Sequence, residues 1–225
     1  MEIGHLVATE KNMNPPYPFT NQELAVVSEQ DSIIGSALPD VVYSRGLIHR
    51  FASVFILDGQ NRLLLQKRAS HKRRHGGLFS ESVSAQVEYN ESYLQAASRR
   101  IQEELGLMTH SDPLIEICKM YMDVEEEYDD NYDSYTYLNN DGYGRSSVSN
   151  RWKKTAFVTI YKLYLYDDET IKHISINPSE ISNIYLLDLD RVIEFFNASP
   201  GLFVPGFGFT LKAFVDIKTS TDQIH

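Results

Sequence analysis

Two short runs in the first third of the chain are rich in residues that favour β-strands. They cover residues 48–57 and 62–68 and flank the sequence "DGQN" at residues 58–61. Asp, Gly and Asn favour tight turns, because they tolerate turn backbone conformations or hydrogen-bond to their own backbone. The pattern therefore predicts a β-hairpin.

Apolar residues next recur at helical spacing, after a short strand predicted near residues 82–87. The repeat consists of Leu94, Ala97, Ile101 and Leu105, and residues at these intervals share one face of a helix. Gly106 follows them and suits the left-handed position that ends such a helix. We expect this apolar face to pack inward and the charged residues between to lie on the other side.

Further alternating elements complete the pattern. Residues 114–122 and 155–166 predict two strands, and "EISNIYLLDLDRVIEFF" predicts a strand, a turn and a helix that begins near Asp188 or Asp190. "FTLKAFVDIK" predicts a last helix. Strands, a central helix, more strands and a terminal helix are typical of an α/β domain in which helices cover a mixed sheet.

The segments outside this pattern indicate how the chain is organised. Residues 1–40 contain several prolines as breakers and predict an N-terminal arm, and residues 41–220 predict one domain. An acidic stretch rich in Tyr and Asn, at about residues 123–150, has no usable periodicity. It predicts an insertion, which is a lid, a partner surface or an ordinary surface excursion.

Composition and charge narrow the class of protein. The chain has 225 residues, 42% of them hydrophobic, and a net charge of −10, which suits one sizeable core. No apolar run reaches about 18 residues, and the N-terminus lacks a basic start before an apolar stretch. We therefore expect a cytoplasmic protein that binds no membrane. The negative charge argues against nucleic acid as a partner, and the single cysteine, Cys118, excludes a disulfide within the chain.

One stretch departs from the acidic composition. The sequence "QKRASHKRRH", residues 66–75, concentrates the cations Lys67, Arg68, Lys72, Arg73 and Arg74. We expect an anionic ligand to bind there, although a solvated loop has the same composition.

The densest charge pattern lies in "SAQVEYNESYLQAASRRIQEELGL", residues 84–107. Residues four apart share one face of a helix, so Arg99 pairs with Glu103 and Arg100 pairs with Glu104. As exposed ion pairs they would each contribute only ~0.2–0.5 kcal/mol. The same residue types also suit a divalent-metal site or a phosphate clamp.

This segment resembles the Nudix box, whose pattern is Gly, five residues, Glu, seven residues, Arg-Glu, an aliphatic residue, any residue, Glu-Glu, any residue, Gly and an aliphatic residue. Ala85 stands in place of the first glycine, and Arg100 stands in place of a glutamate. The resemblance covers roughly residues 45–215 and implies the Nudix α/β/α sandwich with a mixed central sheet. The positions in register are Glu91, Arg99, Ile101, Glu103, Glu104, Gly106 and Leu107.

The resemblance also implies catalytic roles for Glu91, Arg99, Glu103 and Glu104. Glu103 and Glu104 would bind Mg²⁺ (or Mn²⁺), Glu91 would support the metal or its water, and Arg99 would orient Glu103. The bound metal would polarise a diphosphate and position or activate water. Arg100 reverses the local charge, so we expect a weaker metal site unless other carboxylates compensate.

Two adjacent arginines at this place are typical of the branch of the superfamily with isopentenyl diphosphate isomerase activity. The similarity continues through "GLIHR", "LLLQKR" and "SHKRRHGGLFSESVSAQ". It implies that Arg68, Lys72 and Arg100 clamp the diphosphate of a substrate and that Glu104 holds magnesium against it. Arg100 is then explained as a phosphate ligand, because its planar fork matches phosphate oxygens.

The chemistry of that branch does not carry over. Ser84 stands in place of its catalytic cysteine, and a hydroxyl is far too weak an acid to protonate an alkene. Its metal-binding histidines fall on Val42, His49 and Gln86. Only His49 remains, either as a vestigial ligand or as a structural histidine.

Three functions follow from these residues. The first is a Mg²⁺-dependent hydrolase that cleaves a diphosphate linkage in a nucleoside diphosphate derivative or a related organic diphosphate. The second is a catalytically silent module that binds phosphate or regulates, and the third is an isomerase-like enzyme. In each case the expected partner is a small-molecule diphosphate, and a homodimer is left open.

Overall fold

The apolar run "FASVFILD" forms the central strand of the protein. Its β-branched and aromatic residues suit a strand that is covered on both faces. Every residue of this strand, His49–Asp58, is buried except Arg50, which is partly exposed. The structure is a computed structural model and describes residues 5–9, 22–72, 74–109, 113–127 and 151–222.

The described residues form strands and helices in the following order. The strands are β1 (His5–Thr9), β2 (Leu24–Val27), β3 (Ile33–Ala37), β4 (His49–Asp58), β5 (Arg62–Arg68), β6 (Phe79–Ser80), β7 (Val83–Gln86), β8 (Ile115–Glu127), β9 (Arg151–Leu165) and β10 (Ile181–Asp188). The α-helices are α1 (Pro39–Ser44), α2 (Tyr93–Leu105), α3 (Asp168–Lys172), α4 (Leu189–Ala198) and α5 (Phe207–Asp222). Among these helices, none has both the length and the apolar character that a membrane crossing requires.

The strands join into one mixed sheet. β4 pairs in parallel with β9 and antiparallel with β2, β5 and β7. The order along the sheet is β1-β10-β5-β4-β2-β3, and β8 extends it beyond β9. Parts of residues 1–40 belong to this sheet, because β1 lies beside β10 and β2 lies beside β4. The prediction of an α/β protein with a mixed sheet is confirmed.

Helices cover both faces of the sheet. On one face, Ile101 and Leu105 of α2 pack in a cluster with Val54 of β4. On the other face, Phe214 of α5 stacks on Phe55, with ring centroids 4.5 Å apart, and α4 joins the same cluster. Successive residues of β4 thus face opposite layers. This arrangement is the α/β/α sandwich that the sequence predicts.

Local sequence fixes both ends of α2. The Ser92 hydroxyl accepts from the Gln95 backbone N–H (3.2 Å), and the Gln95 side chain accepts from the Ser92 N–H (2.8 Å), which is a capping box. Gly106 ends the helix with φ 68°, as predicted. The helix therefore begins and ends at defined residues, which fixes the charged side chains along it.

One residue of the predicted apolar stripe lies outside the core. Leu94 is 47% exposed, and its neighbour Tyr93 is buried instead. A step of four residues back from Ala97 reaches Tyr93, whereas Leu94 is turned about 100° away from it around the helix axis. The prediction for Leu94 was wrong because the inward row follows the spacing of four.

The hairpin formed by β8 and β9 extends into the stretch predicted as an insertion. Asp123 pairs with Thr155, and the pairing continues to Glu127 opposite Arg151. Residues 123–127 therefore continue β8, and residues 128–150 lie outside the described residues.

Replacing Gly106 by alanine should destabilise the protein. An added Cβ would lie 3.3 Å from the Ser175 Cβ, and a left-handed backbone costs about 1–3 kcal/mol for a residue other than glycine. We expect the free energy of unfolding, measured by urea denaturation, to fall by about that amount. The control is Gly35→Ala, since a Cβ there meets no atom within 4 Å. Equal stability of the two variants would contradict the strain argument.

Candidate functional site

Cationic side chains from two elements converge on one carboxylate. The Oε2 atom of Glu180 accepts from the Lys72 Nζ at 2.6 Å and from an Arg100 Nη at 3.2 Å. Lys72 lies in the loop after β5, and Arg100 lies on α2. Glu180 directly precedes β10, and its carbonyl accepts from the Ala69 N–H at 2.9 Å. The pairing of β5 with β10 therefore holds the basic loop against the helix.

Arg100 is the centre of this cluster. Its guanidinium donates to Glu104, to Glu103 at 3.2 Å and to Glu180 at 3.2 Å. Burial alone would lower the pKa of Arg100, but Glu104, Glu180 and Glu103 together raise it. Arg100 therefore stays charged and neutralises the late carboxylates of α2.

Glu104 carries a buried carboxylate that is only partly satisfied. The residue is 1% exposed, and one carboxylate oxygen accepts from Arg100. Within the described part of the chain, its Oε2 atom has no hydrogen-bond partner. Burial raises the pKa of Glu104, and Arg100 opposes that shift. Buried polar atoms are normally hydrogen-bonded, so this oxygen is suited to a bound group.

Arg68 adds a third cation to the cluster. It lies close enough to lower the pKa of both Glu104 and Glu180 electrostatically. One of its Nη atoms donates to the Arg74 carbonyl at 3.3 Å. Its Nε atom is buried and, among the described residues, has no partner. The cluster thus contains a buried donor, the Arg68 Nε, and a buried acceptor, the Glu104 Oε2. Neither atom has a hydrogen-bond partner among the described residues.

Arg99 forms a second group of contacts on the neighbouring side of α2. It donates to both oxygens of Glu91, at 2.7 and 2.9 Å, and to the Gln86 carbonyl at 3.2 Å. It also contacts Glu103 at 3.3 Å. Arg99 therefore ties the helix to the end of β7 and to the loop that precedes the helix, and Glu103 links this group to Arg100.

The structure brings most of the predicted site residues together and adds one. Arg100 contacts Glu104, and Arg68 and Lys72 lie close enough to lower the pKa of Glu104 electrostatically, whereas Glu91 belongs to the Arg99 group. The roles that the resemblance implies for these residues stay predictions. The added residue, Glu180, was not predicted from the sequence. Its only signal was a carboxylate directly before the apolar run "ISNIYLL", and its proximity to Lys72 depends on which strands pair.

Comparison with known proteins gives the family. The family model of the NUDIX domain matches residues 47–204. The chain belongs to the Nudix family. An isopentenyl-diphosphate Delta-isomerase of Serratia proteamaculans is 44% identical over 86 residues, which are 38% of this chain and 48% of that protein. A protein of Yersinia pestis named as an uncharacterized Nudix hydrolase is 29% identical over 100 residues, 44% of this chain and 54% of that protein. This chain thus spans about half the length of the curated relatives it matches.

Solved structures share the Nudix fold of this chain. DR0079 from Deinococcus radiodurans superposes with a TM-score of 0.60 at 18% identity, covering 85% of this chain and 97% of that one. A MutT protein from Methanosarcina mazei Go1 superposes with a TM-score of 0.50 at 12% identity, covering 77% of this chain and 95% of that one. At these identities the likeness describes the fold.

A divalent cation in this Nudix domain would need ligands from a phosphate group as well as from the late carboxylates of α2. In the described part of the chain, no three His, Cys, Asp or Glu side chains are grouped to hold a metal ion. One oxygen of each late carboxylate accepts from arginine, namely the Glu103 Oε2 from Arg99 and Arg100 and the Glu104 Oε1 from Arg100. The other oxygen of Glu104 is buried and has no partner among the described residues. Mg²⁺ is commonly held by one or two carboxylates plus substrate phosphates. Glu104 fits that arrangement, and the pair Glu103 and Glu104 stays a prediction.

Ser84 lies in a separate polar cluster around Glu81. The Glu81 carboxylate is 3% exposed and accepts from the hydroxyls of Ser80 (2.8 Å), Ser84 (3.0 Å) and Thr210 (2.5 Å). Val83 and Ala85 pack on the α2 side of the sheet, so Ser84 faces the α5 side. Its hydroxyl is thus held by a carboxylate within the fold.

His49 is fully buried and neutral. Its Nδ1 lies 3.2 Å from the Leu47 carbonyl, and the edge of its ring meets Tyr43 at a centroid distance of 5.2 Å. Burial lowers its pKa to about 4, and the cations Lys154 and Arg74 contribute. Of the two other positions that correspond to metal-binding histidines, Val42 is part of the core and Gln86 donates to the Tyr43 hydroxyl at 2.6 Å.

Protonation of His49 should make the protein sensitive to acid. The unfolded chain takes up this proton near pH 6.5, whereas the folded protein takes it up near pH 4. The unfolded state binds more protons between these values, so stability falls as the pH drops through this window. The loss should be on the order of 3 kcal/mol, since one pKa unit corresponds to about 1.4 kcal/mol.

Urea unfolding at several pH values between these limits measures this effect. The variant His49→Gln removes the titrating ring and should flatten the pH dependence. His71→Gln is the control, because His71 is an exposed residue of the basic loop. The same acid sensitivity in wild type and His49→Gln would contradict the assignment to His49.

Proposed function

We propose that this Nudix domain binds an organic diphosphate between Arg68, Lys72 and Arg100 and hydrolyses its diphosphate linkage. One observation carries the proposal, namely that Lys72 and Arg100 converge on one oxygen of Glu180 beside two buried polar atoms without partners. These atoms are the Arg68 Nε and the Glu104 Oε2, neither of which has a hydrogen-bond partner among the described residues. A phosphate group supplies acceptors for the Arg68 Nε. A divalent cation bound with that phosphate would supply a partner for the Glu104 Oε2.

The charges of the cluster favour a polyanion. Guanidinium and ammonium groups form short, charge-assisted hydrogen bonds with phosphate oxygens. Arg100 presents a planar fork, whereas Lys72 is a mobile point charge. A diphosphate can accept from both at once, because they already lie within hydrogen-bond distance of one oxygen of Glu180.

Hydrolysis requires the divalent cation, Mg²⁺ or Mn²⁺, which would neutralise phosphoryl oxygens and activate water. Glu104 would hold the cation, with Glu103 as the second carboxylate. Arg99 would orient Glu103, with which it is in contact. Glu91 would support the metal or its water and hold Arg99 in place. The substrate would be a nucleoside diphosphate derivative or a related organic diphosphate. A cytoplasmic location and a homodimer stay predictions.

A catalytically silent phosphate-binding module is the second candidate. The observation in its favour is that Arg100 contacts both Glu103 and Glu104. A guanidinium in that position neutralises the carboxylates that would otherwise attract a metal ion. Such a module would bind the same diphosphates and release no product.

Isomerisation of isopentenyl diphosphate is suggested by the name of the Serratia relative. The reaction needs an acid that protonates an alkene. Ser84 stands at the position of that acid and donates its hydroxyl hydrogen to Glu81, and a hydroxyl is too weak an acid for this step. An assay with isopentenyl diphosphate therefore tests this argument, and we expect no isomerisation.

The proposal predicts metal-dependent release of phosphate or pyrophosphate from a substrate panel. The panel contains nucleotide sugars, dinucleotides and prenyl diphosphates, each assayed with Mg²⁺, with Mn²⁺ and with a chelator. Glu104→Gln should lower kcat/KM on the best substrate by about 100-fold or more, because losing even an outer partner of a metal ligand costs about 10- to 100-fold. The control is Glu194→Gln, since Glu194 forms an exposed ion pair with Arg191 on α4.

Other outcomes of the panel separate the candidates. Thermal stabilisation by these diphosphates without any product would support the silent module. Migration of the double bond of isopentenyl diphosphate would support the isomerase and contradict the argument from Ser84. Neither stabilisation nor turnover with any diphosphate would overturn the proposed function.

A further inference from the structure

Glu180 takes a place that a phosphate ligand also needs. One of its carboxylate oxygens lies 2.6 Å from the Lys72 Nζ and 3.2 Å from an Arg100 Nη. Both cations belong to the set proposed to bind the diphosphate. A phosphoryl oxygen that bound the same two donors would have to occupy nearly the same position.

We propose that Glu180 is a specificity-determining residue, whose carboxylate acts as an internal competitor for the diphosphate at Lys72 and Arg100. This inference rests on the proposed function. The ligand must displace the carboxylate from both cations, so Glu180 weakens the binding of every anion there. Anions with a single charge gain little from the exchange, whereas a diphosphate brings several charges and further oxygens for Arg68.

The backbone around Glu180 is fixed, but its side chain can leave. The Glu180 N–H donates to the Asn177 carbonyl at 3.0 Å, its carbonyl accepts from Ala69, and the next residue, Ile181, pairs with Arg68 in the sheet. The side chain is 18% exposed. Rotation about side-chain bonds can therefore move the carboxylate toward solvent without any change in the sheet.

The competitor is charged at neutral pH. Burial alone would raise the pKa of Glu180, but Arg100 and Lys72 outweigh this effect and hold the pKa below its usual range. Glu104 cannot act as such a competitor, because it is buried one helical turn after Arg100. Arg100 therefore keeps its contact with Glu104 whether or not a ligand is bound.

A purely structural role for Glu180 predicts the opposite result. If the carboxylate mainly holds Lys72 and Arg100 in position, then its loss lets both cations move and weakens ligand binding. If it mainly competes, then its loss frees both cations and strengthens binding. The sign of the change in affinity therefore decides between the two roles.

The test measures binding of methylenediphosphonate, a diphosphate analogue whose bridging carbon resists hydrolysis. Calorimetric titration is made with and without Mg²⁺ on wild type, Glu180→Gln, Glu180→Ala and the control Glu169→Gln. Glu169 forms an ion pair with Lys172 that has the same 2.6 Å length but is exposed. We expect the Glu180 variants to lower Kd by about tenfold, which corresponds to about 1.4 kcal/mol, and the control to match wild type.

A second variant shows through which cation the gain arises. In the double variant Glu180→Gln with Lys72→Ala, most of the gain should be lost, because the freed ammonium is absent. Thermal unfolding of each variant identifies any that fails to fold, and Glu180→Gln and Glu180→Ala provide two independent replacements.

Each result has one meaning. Tighter binding by the Glu180 variants supports the inference, including the case in which only these variants bind. Equal or weaker binding by both, while wild type binds, overturns the inference and leaves the proposed function standing. A gain that persists without Lys72 also overturns it. Absence of binding by wild type and all folded variants, with and without Mg²⁺, overturns the proposed function and this inference with it.

Discussion

The contact between Arg100 and the carboxylate of Glu104 is the constraint on which the arrangement of the site depends. A buried carboxylate without a partner is costly, and removing one member of such a pair leaves an uncompensated charge. Glu104 is 1% exposed, so α2 can pack against the sheet with this residue charged only if a cation accompanies it. Arg100 then also reaches Glu180, and through Glu180 the helix is joined to Lys72.

The two adjacent arginines of α2 have separate partners because neighbouring residues of a helix point about 100° apart. Arg99 turns toward β7 and binds Glu91 through two parallel bonds. Arg100 turns toward the loop before β10 and binds Glu104. Glu103 contacts both arginines, so it is the only carboxylate of these that lies between the two groups. A substitution at either arginine would therefore also change the contact between Glu103 and the other arginine.

Features that depend on nearby residues could be predicted from the sequence. The turn at residues 58–61 and the end of α2 at Gly106 follow from local chemistry, and the structure has both. Leu94 was misplaced because apolar spacing alone does not decide which of two neighbouring residues turns inward. The resemblance implied Arg68, Lys72 and Arg100 as phosphate ligands, a role that stays a prediction. Glu180 could not be predicted, because its contacts with Lys72 and Arg100 depend on the pairing of β5 with β10. Local sequence patterns do not determine the order of strands in a sheet.

The replacement of a box glutamate by Arg100 changes how metal and phosphate would depend on each other. With carboxylates alone, a cation could bind first and attract the phosphate. Here Arg100 contacts both late carboxylates, so a free divalent cation would meet less negative charge than the carboxylates alone would present. A diphosphate bound to the arginine and Lys72, as proposed, would add its own negative charge beside the open oxygen of Glu104. Metal and diphosphate should therefore each raise the affinity for the other, since such coupling is reciprocal, and neither should bind well alone.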